Sequence, residues 1–281
     1  MGTSASSGGP GGGVPMIPPW VSPIPAQGDA PDGGMQTQGS PNPAAPDGAP
    51  QPNAPLLAPP GRFRATRTSL GRFARTGSQD DMRAGIARYV RTGLGGARRA
   101  SQRMSTTSKT VGSLYGVLDT LSSGQAFAPG HPLETARFVG RSSEEIRDLI
   151  IDFIRPVDGT QDAEASRDSM ARAFSELLTT DPATDLTALS QDQIDSVTQA
   201  YVAHDIWHRM QLDVGKAVME KAPDYRAAVN RLQEMSDYVR EKVGACFRKR
   251  ADSGTRLTRE NAASLTNEVM RDTFGVFEEY L

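Results

Sequence analysis

Two histidines four residues apart, in His204-Asp205-Ile206-Trp207-His208, have the spacing in this chain that comes nearest to a metal site. At i and i+4 they share one helix face, and two imidazoles so placed can hold zinc. In the metalloprotease pattern the residue after the first histidine is a glutamate that serves as general base. Here it is Asp205, with a shorter reach, and the one remaining histidine, His131, falls in a loop. A catalytic zinc also needs a third protein ligand, and no further motif supplies one. Two helix-face histidines beside Trp207, one of them paired with a neighbouring acid, account for the same residues. A zinc-dependent hydrolase through His204 and His208 is therefore the weakest functional reading, and no cofactor is expected.

Other reactive groups fare no better as catalysts. Cys246 is the single cysteine and follows Gly244-Ala245 on an apolar helix face without a histidine nearby, so it reads as a buried structural thiol. Gly93-Leu94-Gly95-Gly96 before Arg98 and Arg99 could open an anion-binding helix N-terminus. It lacks both the P-loop and the dinucleotide-binding spacing, and a flexible break between helices explains it equally. Arg248-Lys249-Arg250 sits where cations favour a helix C-terminus. No Ser/His/Asp pattern or nucleophile elbow is present. The expectation is a protein that is not an enzyme.

A basic strip offers binding chemistry instead. Gly61-Arg62-Phe63-Arg64-Ala65-Thr66 is echoed by Gly71-Arg72-Phe73-Ala74-Arg75-Thr76, with Arg67 between the copies. Arginines interleaved with aromatics can grip phosphates and stack on bases, or pin a segment onto an acidic protein surface. With Arg98, Arg99 and Arg103 they define a candidate patch for a partner or for nucleic acid. Charge is unevenly spread: residues 1–60 carry −3, residues 61–109 carry +10 and the remainder −9. Such polarity points to an intramolecular or partner-directed contact for the basic zone.

The first 60 residues hold 15 of the 20 prolines and 11 of the 28 glycines. That composition does not repay the entropy of ordering, and residues 1–60 are expected to be a disordered tail. An apolar island around Val14, Ile17 and Trp20 reads as a docking peptide for a partner's groove. Gly2, Thr3 and Ser4 follow Met1, and small second residues favour removal of the initiator, leaving a Gly2 amine on a long tether that can reach into a partner's active site. The pattern also matches a myristoylation signal, but one acyl chain anchors only marginally.

The elements that must position these groups are helical. Ser78 caps a helix with Asp80 and Asp81 in its first turn. A second is expected from about Ala97 to Leu121, where Gly112 and Gly116 allow close helix approach. Ser142/Glu145 and Ser190/Gln193 form capping boxes. The latter opens a long helix through Trp207 to Met219. Apolar residues at helical spacing continue through Tyr225, Val229 and Val243, and a last helix runs from about Thr258. No strand pattern is present. The expectation is an all-α, irregular bundle of six to eight helices over residues 78–281, behind a basic Arg/Phe linker at 61–77. One cysteine, no apolar run of spanning length and no recognisable secretory signal lead to the expectation of a cytoplasmic protein away from membranes.

Met1-Gly2-Thr3-Ser4, then a Gly/Pro-rich stretch and Pro18-Pro19-Trp20, resembles the start of QatB proteins. Tyr89-Val90-Arg91-Thr92-Gly93-Leu94-Gly95-Gly96-Ala97, continuing through Arg99 and Arg103-Met104, is similar to them as well. The C-terminal half carries no motif that adds to the resemblance. The family belongs to the four-component Qat anti-phage defence system of bacteria, whose other members resemble an ATPase, a QueC-like enzyme and a TatD-like nuclease. The resemblance implies a defence role as a non-catalytic component. It also implies that the QueC-like partner conjugates a deazaguanine to the Gly2 amine, or to a later glycine if the tail is trimmed. A nucleic-acid-binding adaptor using residues 61–109 is the alternative.

Overall fold

The computed structural model of the chain describes residues 61–280, apart from residue 129. Gly2, Thr3, Ser4, Trp20 and the whole of the expected tail lie outside the described residues. Within them the chain is all-α: ten α-helices, two π-helical turns and one short 3-10 turn, with no strand.

The first helix corrects the sequence reading. Residues 61–77 are not a linker: Arg64–Thr76 form α1, a regular amphipathic helix. Thr66, Leu70, Phe73 and Ala74 are buried along one stripe, and Phe63 packs just ahead of them. The density of arginine in this strip hides an apolar periodicity that is nevertheless there. Gly77, in the left-handed conformation at φ 75°, ends α1 by donating its N–H to the Phe73 carbonyl.

Ser78 caps α2 (Gln79–Arg88) by accepting the Asp81 N–H, as its sequence indicates. The chain then runs through a π-helical turn (Tyr89–Leu94) into α3 (Ala97–Arg103) and α4 (Ser105–Ser122). The single helix expected over 97–121 is broken at Met104, whose backbone leaves helical geometry at φ −98°, ψ 23°. Both capping boxes form. The Ser142 hydroxyl accepts the Glu145 N–H while the Glu145 carboxylate accepts the Ser142 N–H at 2.9 Å, and Ser190 and Gln193 do the same. Each such cap is worth about 1 kcal/mol. They open α5 (Ser143–Ile154) and α7 (Gln191–Met210). Between them α6 spans Gln161–Thr180. The long helix expected to reach Met219 instead unwinds into a second π-helical turn, Gln211–Gly215, before α8 (Lys216–Lys221). These interruptions raise the helix number above the expected range. Two helices complete the domain, α9 (Tyr225–Asp252) and α10 (Ala262–Glu278).

One apolar core runs through the domain. Helix α7 is central, with α6 and α9 packed on its flanks and α4 against it. Helix α10 closes α3, α4 and α9, while α1 seats on α2 and α8. Gly112 serves the close approach its spacing suggested: a Cβ there would lie 3.2 Å from Ala263 Cβ of α10. Cys246 is buried and unpaired. Among the described residues no helix is long and apolar enough to cross a membrane.

Candidate functional site

Helices α6 and α9 stand on either side of α7 and leave a groove of 1190 Å³ between them. Its walls follow from helical spacing. Asp168, Arg172 and Glu176 recur every four residues along α6, and Tyr225, Val229, Leu232, Ser236 and Arg240 line one face of α9. Trp207 and His208 of α7 form the floor with His204. Tyr225 and Val229, which begin the apolar spacing of α9, are 75% and 44% exposed. They lie at the start of α9, ahead of the fully buried Met235, so their apolar spacing gives the groove an apolar end rather than extending the core.

The other end is polar, and it takes up both histidines of the candidate zinc motif. His204 Nε2 lies 2.9 Å from Glu176 Oε1, and Arg240 Nη2 donates to the same oxygen at 2.5 Å. His208 Nδ1 lies 3.5 Å from Asp168 Oδ2, which also accepts from Arg172 Nε at 2.7 Å. Each imidazole is thus held by an α6 carboxylate that an arginine already occupies. Burial pushes His204 below the ordinary histidine pKa, against the opposing pull of Glu176. Asp205, in the slot where a metalloprotease would keep its base, turns away from the groove. It is buried and accepts a hydrogen bond from Thr107 Oγ1 of α4 at 2.5 Å. Burial pushes its carboxyl upward. Among the described residues no group of three or more His, Cys, Asp or Glu could hold a metal ion. The geometry can bind an apolar or mixed surface in the groove, and its histidines face α6 carboxylates rather than Asp205.

The basic strip divides into two faces. Phe63 stacks on Tyr89 with ring centroids 5.4 Å apart, and Phe73 is fully buried beneath the Arg231 guanidinium. Neither aromatic can stack on a base, which corrects the reading that paired them with arginines for that purpose. Arg62 sits over the Phe63 ring, and Arg72 turns to Asp81 at 2.9 Å. Arg64, Arg67 and Arg75 point outward around Gly71, where Lys221 of α8 joins them. Arg98, Arg99 and Arg103 are exposed on α3. The Gly93–Gly96 run has a structural role: a Cβ on Gly93 would stand 2.4 Å from Phe63 Cε1, and Gly95 and Gly96 both take positive φ. Arg250 of the Arg248–Arg250 run is held by Glu268 and Asp272 of α10.

Sequence reasoning missed the partners. Tyr89 donates to Asp213 Oδ2 at 2.9 Å, tying the two π-helical turns together. Burial, with Asp213 beside it, holds the Tyr89 hydroxyl well above the ordinary tyrosine pKa. Glu176, Asp168, Arg240 and Lys221 come from helices distant in sequence, and nothing local marks them as partners of His204, His208 or α1.

The sequence profile of a family described as "Qat anti-phage system associated protein QatB" matches residues 95–277. The match begins within the stretch around Gly95-Gly96-Ala97 that carries the resemblance and extends through the C-terminal half, which offered no motif. No curated protein and no solved structure matches the chain.

Proposed function

This chain belongs to the QatB family and is a component of the Qat anti-phage system, and we propose that it serves that system as a non-catalytic scaffold and modification substrate. In this reading a QueC-like enzyme of the same system binds the N-terminal segment around Gly2, Thr3, Ser4 and Trp20. It conjugates a deazaguanine to the Gly2 amine. The helical domain engages that enzyme, the ATPase or the TatD-like nuclease. The protein works in the cytoplasm.

The observation that carries the reading is the family match over residues 95–277. The engagement of His204 with Glu176 and of His208 with Asp168 supports a scaffold over a metallohydrolase. So does the withdrawal of Asp205 to Thr107, since a general base must reach the proton it abstracts.

Intact mass and N-terminal peptide mapping test it, on chain expressed alone and with the QueC-like enzyme encoded beside it. The expected result is a partner-dependent mass increase on Gly2 that fits a deazaguanine adduct. Unmodified Gly2 in both samples overturns the substrate role.

A further inference from the structure

The charge of this chain is segregated in sequence, and folding leaves it segregated. Residues 61–109 hold 12 Lys+Arg and only two carboxylates, Asp80 and Asp81. Both are taken locally, by Arg83 at 4.0 Å and Arg72 at 2.9 Å. Among the described residues no ion pair joins a cation of this segment to a carboxylate of the acidic remainder. Elsewhere cations do cross between helices: Arg167 to Asp152, Arg209 to Asp162, Arg240 to Glu176 and Arg250 to Asp272.

The uncompensated charge gathers on the outer face of α1. Arg64, Arg67, Gly71 and Arg75 recur there at helical spacing and line a cleft of 470 Å³. Gly71 lets a fourth cation cross the row, since Lys221 Cγ lies 3.4 Å from where a Cβ would stand. Arg67 is steadied by donating to the Asp213 carbonyl at 3.3 Å. Like charges at this spacing oppose helix formation. The fold tolerates them here while pairing many of its other arginines.

We propose that this face of α1, closed by Lys221, binds the phosphate backbone of nucleic acid. One observation chooses a phosphate polymer over an acidic protein. The face exposes no large apolar side chain: Ala65, Thr68 and Thr76 lie between the cations, while Leu70, Phe73 and Ala74 are buried. It therefore lacks the apolar centre around which protein interfaces are built. Three of the four cations are arginines, whose planar forks match the oxygens of phosphates, and equally of carboxylates, two at a time. Because Phe63 and Phe73 face inward, contacts fall on phosphates and carry no base preference. From Arg64 to Arg75 the row is about 16 Å long at about 1.5 Å per residue, roughly five base pairs of duplex. This site does not rest on the Gly2 reading.

The test uses the full chain and a fluorescent 20-base-pair DNA duplex, titrated by anisotropy between 50 and 200 mM salt, with labelled polyglutamate in parallel. Four neutralised phosphates give a slope of log affinity on log salt of about −3.6, a loss of about 150-fold over that range. The variant carrying Arg64→Gln, Arg67→Gln and Arg75→Gln keeps one of the four cations, and its loss falls to about four-fold. A charge-matched control, Arg141→Gln with Arg147→Gln and Lys242→Gln, removes paired cations outside α1 and the groove and keeps the parental slope. If the triple variant does not fold, Arg75→Gln and Lys221→Gln singly each lower the slope by about one. No salt-dependent binding at 50 mM, or a parental slope in the α1 variants, overturns the site. Polyglutamate binding as tightly as the duplex overturns the nucleic-acid assignment and gives the face to an acidic protein.

Discussion

Replacing Phe73 by alanine separates a helical α1 from a linker. Phe73 is fully buried, with the Arg231 guanidinium 5.5 Å from its ring centre. Phe→Ala in a packed core costs about 3–5 kcal/mol, transfer and cavity terms together. In a domain of this size each kcal/mol lowers the melting temperature by about 2–4 °C, so Phe73→Ala should melt about 6–20 °C below the parent. Arg75→Gln, on the exposed face of the same helix, should stay within about 0.5 kcal/mol. Calorimetry on the full chain reads the global effect. Helix α1 could also detach without unfolding the rest, which calorimetry would under-report. Hydrogen exchange covers that case: the amides of Leu70 to Thr76 would lose protection while those of α7 kept theirs. A melting shift under about 2 °C with α1 protection unchanged would refute the packing of α1 described above.

Three further outcomes follow from the groove, the core beneath it and the tail. Asp205 is held above its ordinary pKa by burial, so the folded protein loses stability as pH rises from about 4 through the folded value. Asp205→Asn keeps an acceptor for Thr107 and removes that loss; urea midpoints should show its advantage over the parent growing from pH 4 to pH 7, and a constant difference would contradict the burial argument. His204 is held below its ordinary pKa, so the unfolded chain takes up a proton that the folded chain resists as pH drops below about 6.5. His204→Gln should flatten the fall in stability between pH 7 and pH 5, and an unaltered fall would assign it to other groups. Deleting residues 2–20 should abolish both Gly2 modification and phage protection while circular dichroism and melting of the helical domain stay parental; retained protection would count against the tail's role.

Local signals were legible in the sequence and tertiary ones were not. Ser142/Glu145 and Ser190/Gln193 could be read because a capping box closes within four residues. The break at Met104 and the π-helical turn at Gln211–Gly215 could not, and at Tyr89–Leu94 the Gly93–Gly96 run marked an interruption but not its π-helical form. They answer to tertiary contacts, Tyr89 meeting Asp213 among them. The His204/His208 pair was visible as a spacing. Its meaning lay in Glu176 and Asp168, on the preceding helix α6. Lys221 was invisible as a member of the basic face until α8 was seated on α1. The apolar stripe Phe63, Thr66, Leu70, Phe73 and Ala74 was readable and was outweighed by arginine density.

That overlooked stripe explains why the charged face has a fixed geometry at all. A flexible basic linker binds polyanions by charge alone, and its cations rearrange freely. In α1 the 3.6-residue period that buries Leu70 and Phe73 also sets Arg64, Arg67 and Arg75 in a row beside that stripe, along the edge that meets α8. Packing and charge display are therefore one feature. Phe73→Ala removes no cation, yet by loosening α1 from α8 it should separate Lys221 from the arginine row and lower the salt slope of duplex binding toward three phosphates, about −2.7. A parental slope in that variant, with α1 shown to be detached, would mean that the charge alone is recognised and the helix is incidental.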